Sequence, residues 1–91
     1  MPVTVKIPTQ LRSVTGGEAE ASVEDVSTVG EVLDGLYERY EGLRERIAED
    51  GDLRRFVNVY VSGEDIRFQD GLDTAVNEGD EVTILPAVAG G

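Results

Sequence analysis

Residues 28–40 read TVGEVLDGLYERY and decide the fold, because they carry the strongest helix signal in the chain. Thr28 followed by Glu31 has the capping-box spacing, in which each side chain satisfies a free backbone N–H at the start of a helix. The apolar and aromatic residues that follow recur at the helical period and fall along one stripe: Val29, Val32, Leu33, Leu36, Tyr37 and Tyr40. A helix with a single apolar stripe has to bury it against another layer, which the rest of the chain must supply.

The segment after this helix returns to strand patterns. Gly42 is predicted to end the helix, and Leu43 and Ile47 indicate a further helical turn before an acidic loop at 49–52. Residues 56–61 form the best strand pattern of the chain, because they are rich in β-branched and aromatic residues.

An opening hairpin is predicted ahead of the helix. Val3, Val5 and Ile7 alternate with polar residues, which is the period of a half-buried strand. Gly16-Gly17 marks a chain reversal, and residues 19–23 alternate again between apolar and polar side chains.

The last third of the chain contains short elements separated by turns. A turn is predicted at 62–65, a short strand at 66–68 and a final strand at 81–85, and Pro86 should end regular pairing because it cannot donate to a ladder. One helical turn is predicted around Leu72, Ala75 and Val76. The whole order predicts a two-layer α+β domain whose sheet is covered on one face by one main helix. The other face is left to solvent or to a partner.

Composition excludes several classes of function. With 91 residues, the chain is large enough for one modest core but not for a deep catalytic cavity. The formal net charge of −11 disfavours nucleic acids and anionic membranes, both of which attract basic proteins. It suits a basic protein partner, although acidity can also serve solubility alone. The N-terminal residues lack the apolar region of a signal peptide, and no stretch approaches membrane-spanning length, so we expect a cytoplasmic protein.

Side-chain catalysis is hard to assign in this sequence. The chain has no cysteine and no histidine, which removes thiol nucleophiles, imidazole bases and the usual zinc ligands. Its paired acidic residues, such as Glu64-Asp65 and Glu24-Asp25, sit in predicted turns, where carboxylates serve turn formation and solubility. The spacing of a calcium loop is absent, so no metal site is expected.

The C-terminal tail is the distinctive feature. No charged side chain occurs from Val82 to Gly91, in a protein of which 30% of the residues are charged. Gly90 and Gly91 present the terminal carboxylate without a Cβ, so this end can thread a narrow channel. A frayed terminus is the competing interpretation, but an apolar run such as Ile84–Val88 would then form an exposed patch without a use. We predict a domain over 1–86 and a flexible tail over 87–91.

A set of short motifs lies at both ends of the chain: Val3–Val5, Ile7–Thr9, Leu11-Arg12, Thr15–Gly17, Phe56–Val61, Glu64–Phe68, Gly71-Leu72, Gly79-Asp80 and Val82–Gly91. Through these residues the chain resembles the MoaD/ThiS family of ubiquitin-like sulfur carriers, and within it the carriers of O-phosphoserine-dependent cysteine biosynthesis. The resemblance implies a β-grasp fold with a mixed sheet. It also implies that the chain is not an enzyme and carries no cofactor of its own.

The chemistry implied by the resemblance takes place at Gly91. An E1-like enzyme that uses ATP would adenylate the terminal carboxylate, and a sulfur donor would convert it to a thiocarboxylate. The sulfur would then pass to an acceptor in a partner synthase, most simply a pyridoxal-phosphate cysteine synthase, and a metal-dependent peptidase would release the product. The expected partner-binding residues are Leu85, Pro86, Ala87, Val88, Ala89 and Gly90, together with the uncovered sheet face.

Several alternatives share the same tail. The chain could be the small subunit or sulfur donor for molybdopterin, thiamine or secondary-metabolite synthesis, a ubiquitin-like protein modifier, or a plain β-grasp interaction module. For Phe56 and Tyr60, a core position competes with a place on the docking surface. We expect a monomer when the chain is free.

Overall fold

The first hairpin of the sheet forms where valines alternate with polar residues. The computed structural model describes residues 2–49, 52–53 and 57–86. In it, β1 (Val3–Lys6) pairs antiparallel with β2 (Glu20–Val23). The predicted opening hairpin is therefore confirmed, and a 3₁₀ turn at Thr9–Leu11 lies within its long connection.

The predicted main helix is present as α1 (Val29–Arg39). Oγ1 of Thr28 caps it by accepting a hydrogen bond from the Glu31 N–H at 3.2 Å. The Glu31 carboxylate accepts from the Ser27 N–H at 2.6 Å, one residue before the usual capping-box partner. Within the predicted stripe, the four aliphatic residues are buried and the two tyrosines are half-buried.

The prediction that Gly42 ends this helix is wrong. The chain leaves the helical conformation at Tyr40, whose φ of −129° and ψ of 94° are extended. Gly42 lies inside α2 (Glu41–Ile47), which is the predicted further turn. The absence of a side chain at Gly42 serves packing, because a Cβ there would lie 3.2 Å from Cγ1 of Val14.

Part of the predicted acidic loop is paired. β3 (Ala48–Glu49) and β4 (Asp52–Leu53) form a small antiparallel ladder in which Glu49 lies opposite Asp52. The next strand, β5 (Val57–Val61), confirms the strong strand pattern. Phe56, the first residue of that prediction, lies outside the described residues.

The predicted turn at 62–65 and strand at 66–68 are misplaced. Ser62 and Gly63 have φ angles of 49° and 89°, a combination that closes a hairpin with two residues. The return strand β6 (Glu64–Asp65) therefore begins earlier than predicted, and Ile66–Phe68 forms a 3₁₀ turn instead of a strand.

The predicted helical turn around Leu72, Ala75 and Val76 is only partly present. A 3₁₀ turn spans Gly71–Asp73, but Ala75 forms a β-bridge with Thr28, and the Val76 N–H bonds to the Ser27 carbonyl at 2.9 Å. Backbone pairing with the start of α1 therefore takes the place of helical bonds in this segment.

The last strand, β7 (Glu81–Pro86), lies in the middle of a five-stranded sheet with the order β2-β1-β7-β5-β6. It runs parallel to β1 and antiparallel to β5, so the sheet is mixed. Pro86 stays in register opposite Val57, one residue beyond the predicted end of pairing. The Val57 carbonyl accepts a hydrogen bond from the Arg67 side chain, at the edge of β5 remote from β7. The N–H and C=O of one strand residue point to the same edge, so those of Val57 point away from β7. Proline at position 86 therefore leaves no acceptor of Val57 without a donor, although it has no N–H.

One face of the sheet and the apolar side of the helices enclose the core. Every layer contributes side chains with no exposed surface: Val5, Val29, Val32, Leu36, Leu43, Ile47, Val57, Val59, Val82 and Ile84. Along the strands these residues alternate with polar or half-exposed ones. The predicted α+β arrangement, a mixed sheet covered on one face, is confirmed.

Candidate functional site

The predicted working end of the chain leaves the sheet from its middle strand. Leu85 and Pro86 are the last described residues, and they pair with Asn58 and Val57 of β5. The other predicted site residues, Ala87, Val88, Ala89, Gly90 and Gly91, lie outside the described residues. The division into a 1–86 domain and an 87–91 tail therefore stays a prediction.

The end of β7 is supported by one neighbouring strand. Its pairs with β1 run from Glu81 to Thr83, whereas its pairs with β5 run from Val82 to Pro86. In the described part of the chain, Ile84–Pro86 are thus held in the ladder by β5 alone. The position of these last described residues depends on β5 more than on β1.

Leu85 is exposed on the sheet face that the helices leave open. On the same strand, Val82 and Ile84 are buried in the core, whereas the exposed fraction of Leu85 is 46%. Large apolar side chains at such exposure are rare among the described residues, the other one being Phe68 at 89%. An apolar side chain directly before the tail suits contact with a partner protein, as predicted for this residue.

Polar side chains fill the rest of the open face. The strand registers place Glu20, Lys6, Thr83 and Tyr60 side by side in one row across four strands. Nζ of Lys6 donates to Oε2 of Glu20 at 2.6 Å, and this bond together with the charge of Glu20 raises the pKa of Lys6. Tyr60 is half-buried between the buried Val59 and Val61, so it belongs to the open face rather than to the core.

Arg67 ties the outer edge of the sheet to the strand that supports the tail. Its Nη1 donates to Oδ1 of Asn58 and its Nη2 donates to the carbonyl of Val57, each at 2.8 Å. Arg67 lies within the family pattern, which gave it no role. It stands two residues after β6, where the ladder of β5 has no further partner strand among the described residues, and this position could not be read from the sequence because the strand at 64–65 was not predicted.

The described part of this arrangement is a binding surface. Among the described residues no group of acidic side chains could hold a metal ion. In the same part of the chain, no helix is both long and apolar enough to cross a bilayer. The phenol with a strongly shifted pKa, Tyr37, lies on α1 away from the open face, and burial raises its pKa to about 12. What the face can do chemically is to hold and orient the tail for a partner.

Comparison with known proteins places the chain in a family of carriers. A model of the ThiS family matches residues 5–91. The sulfur carrier protein CysO of Mycobacterium tuberculosis is 52% identical over 94 aligned residues, which cover 100% of both chains. The small archaeal modifier protein 3 of Haloferax volcanii is 45% identical over 69 residues, covering 76% of this chain and 75% of its own.

A solved structure agrees with the sequence matches. A chain in the crystal structure of the Amycolatopsis orientalis BexX/CysO complex superposes with a TM-score of 0.90 at 49% identity, covering 98% of this chain and 99% of its own. The ubiquitin-like β-grasp fold that the resemblance implied is confirmed, and so is the expectation of a carrier rather than an enzyme. The chain belongs to the ThiS family and is a sulfur carrier protein.

Proposed function

We propose that this chain carries sulfur as a thiocarboxylate on Gly91 and delivers it for the synthesis of cysteine. The observation that supports this proposal most is the 52% identity to CysO of Mycobacterium tuberculosis over the whole chain, the tail included. The geometry agrees with it, because the tail begins on the middle strand of the sheet, beside an exposed face. The chain itself contributes a carboxylate and a docking surface, and the partners contribute the catalysis.

Activation begins with the terminal carboxylate. One of its oxygens attacks the α-phosphorus of ATP, pyrophosphate leaves, and an acyl-adenylate forms at Gly91. A sulfur nucleophile then attacks the carbonyl carbon and AMP departs, which leaves a thiocarboxylate. Both steps need an E1-like partner that binds ATP, since this chain has no thiol or imidazole.

The partner docks on the open sheet face and on Leu85–Gly90. Leu85 supplies apolar contact next to the tail, and the polar row around Lys6 and Tyr60 supplies hydrogen bonds. The net charge of −11 accelerates encounter with a basic partner surface. The acceptor of the sulfur is a synthase that holds its substrate on pyridoxal phosphate, and a metal-dependent peptidase then frees Gly91. These steps take place in the cytoplasm.

Mass spectrometry tests the proposal directly. Incubation with ATP, a sulfide source and an E1-like activating enzyme should add about 16 Da, sulfur replacing oxygen, at Gly91. A chain that ends at Ala89 serves as the control, because it keeps the sheet face but lacks the glycines. No mass change in the full chain with an enzyme active on other carriers, or sulfur at another residue, would contradict the proposal.

The destination of the sulfur needs its own experiment. Affinity capture with the thiocarboxylate form, compared with the carboxylate form, should enrich a pyridoxal-phosphate synthase. Enrichment of a molybdopterin, thiazole or thiosugar synthase in its place would keep the carrier role and refute the cysteine pathway.

A second candidate function is protein modification through the same activated Gly91. It is favoured by the 45% identity to the small archaeal modifier protein 3 of Haloferax volcanii. Covalent ladders on cellular proteins, lost when Gly90 and Gly91 are deleted, would support it. A thiocarboxylate without ladders would leave the carrier role alone.

A further inference from the structure

The outer edge of β5 is bound by the Arg67 side chain at the Val57 carbonyl, beyond the end of β6. β6 pairs only with Tyr60 and Val61, so the outer edge of β5 extends beyond it toward Val57. The chain then turns at Ile66, which is buried, while Oδ1 of Asp65 accepts from the Arg67 N–H at 2.8 Å. This local turn fixes the start of the Arg67 side chain, and the guanidinium covers the part of the edge that β6 leaves.

Two acceptors of Arg67 belong to the residues that pair with the end of β7. Its nitrogens bind the side chain of Asn58 and the carbonyl of Val57, each at 2.8 Å. Across β5, the same two residues pair with Leu85 and Pro86. A continuous path of contacts therefore runs from Arg67 through β5 to the last residues before the tail.

The guanidinium suits this task better than another cation. It is planar and carries several donors in a fixed arrangement, so one side chain can bind two acceptors on successive residues. A lysine ammonium is a single point of charge and has no such fork. Arg67 is therefore matched to holding Val57 and Asn58 at a fixed spacing, which is more than a supply of positive charge.

The position of the end of β7 matters because an activating enzyme has to bind Leu85 and Pro86 together with the residues that follow them. Acyl transfer is sensitive to displacements of about 1 Å. A carrier that already holds Leu85 and Pro86 in the ladder therefore spares the enzyme the cost of ordering them.

We propose that Arg67 is a positioning residue for activation: it holds Val57 and Asn58 of β5, and through them it keeps Leu85 and Pro86 in place at the end of β7. The proposal rests on the proposed activation of Gly91 by an E1-like enzyme. Loss of Arg67 leaves the reacting groups unchanged but requires the enzyme to order the end of β7 on binding. The effect falls on KM rather than on kcat, because an enzyme-bound tail is held by the enzyme.

The kinetic test compares three variants. Arg67→Gln should raise KM for the carrier roughly tenfold in a pyrophosphate-release assay, as expected for loss of the hydrogen bonds to Asn58 and Val57, with kcat within about twofold. Arg46→Gln, which removes the same charge from the exposed side of α2, should match the wild type. Arg67→Lys should fall between the two, since it keeps the charge but not the fork. A KM for Arg67→Gln close to that of Arg46→Gln, or full rescue by Arg67→Lys, overturns the proposal.

An exchange measurement needs no enzyme and separates this proposal from the function on which it rests. The Leu85 N–H lies in the ladder opposite Asn58, and the Thr83 N–H lies in the same ladder opposite Tyr60, farther from Arg67. Arg67→Gln should accelerate hydrogen exchange at Leu85 about tenfold and at Thr83 by less than twofold. Equal protection at Leu85 in both proteins refutes the positioning role. Failure of the wild type to form a thiocarboxylate refutes the proposed function, whatever the exchange result.

Discussion

Truncation of Leu85 should weaken activation without unfolding the protein. Leu85 keeps 46% of its surface exposed, so about half of its side chain remains to be enclosed by a partner. Full burial of a leucine side chain is worth about 1.5–3 kcal/mol, and half of that is about 1 kcal/mol, or roughly fivefold in KM. Leu85→Ala should therefore raise KM for adenylation by about fivefold. Leu85→Asp should raise it further, because its carboxylate has to be desolvated at the interface.

The matched control removes the same atoms from the helix-covered side. Leu72 is half-buried, and its Cβ lies 3.6 Å from the position that a Cβ on Gly30 of α1 would take. Leu72→Ala should lower the unfolding temperature more than Leu85→Ala does and leave KM within about twofold. The assay is pyrophosphate release at varied carrier concentration, with thermal unfolding followed in parallel. Equal KM values for the two variants would refute the open face as the docking surface.

Three further predictions concern the fold that presents this face. Gly35→Ala should destabilise by about 1–2 kcal/mol in thermal unfolding, because the new Cβ would lie 3.0 Å from Cγ1 of the buried Val23, which outweighs the gain in helix propensity. A rise in the unfolding temperature, without the relieving change Val23→Ala, would contradict this. Thr28→Ala should cost about 1 kcal/mol through loss of the helix cap, whereas Thr28→Ser should retain most of it; equal stability of the two would refute the cap. Titration of tyrosine absorbance should show a phase near pH 12 that disappears in Tyr37→Phe, since burial raises the pKa of Tyr37 to about 12. A phenol whose pKa is raised on folding contributes stability below pH 10 that is lost between pH 10 and 12, so Tyr37→Phe should also resist alkaline unfolding better than the wild type.

The parts of the fold that could be predicted from the sequence depend on local patterns. The cap at Thr28 and the apolar stripe of α1 lie within one stretch of chain, and both are present in the structure. The strand prediction at Ile66–Phe68 was wrong because Ser62 and Gly63 close the hairpin in two residues. The positive φ of Ser62 could not be predicted, since serine has no particular preference for that conformation. The bonds of Arg67 to β5 join residues nine and ten positions apart through a register that no single segment specifies.

The same distinction between local and long-range information applies to the predicted site. The uncharged tail was visible as a departure from an otherwise charged composition, so Leu85–Gly91 could be singled out from the sequence alone. The open face could not be resolved to residues, because the side on which Tyr60 lies depends on strand register. A period of two places Tyr60 either with the core or with solvent, and the buried neighbours Val59 and Val61 decide between them.

Under the proposed function, we infer that the open face makes the choice among sulfur acceptors, because neither the tail nor the net charge can make it. A thiocarboxylate on a terminal Gly-Gly is the same group whichever synthase receives it. The attraction of a chain with net charge −11 acts over about 8–10 Å at physiological salt and draws any basic surface, so it sets the rate of encounter more than its selectivity. Discrimination needs contacts that a wrong partner leaves unpaired. The Lys6–Glu20 pair lies on β1 and β2 and Tyr60 lies on β5, on the two sides of β7, and their register keeps them at fixed spacing from the end of β7. A synthase that pairs with this row while receiving the tail is thus selected by geometry as well as by charge.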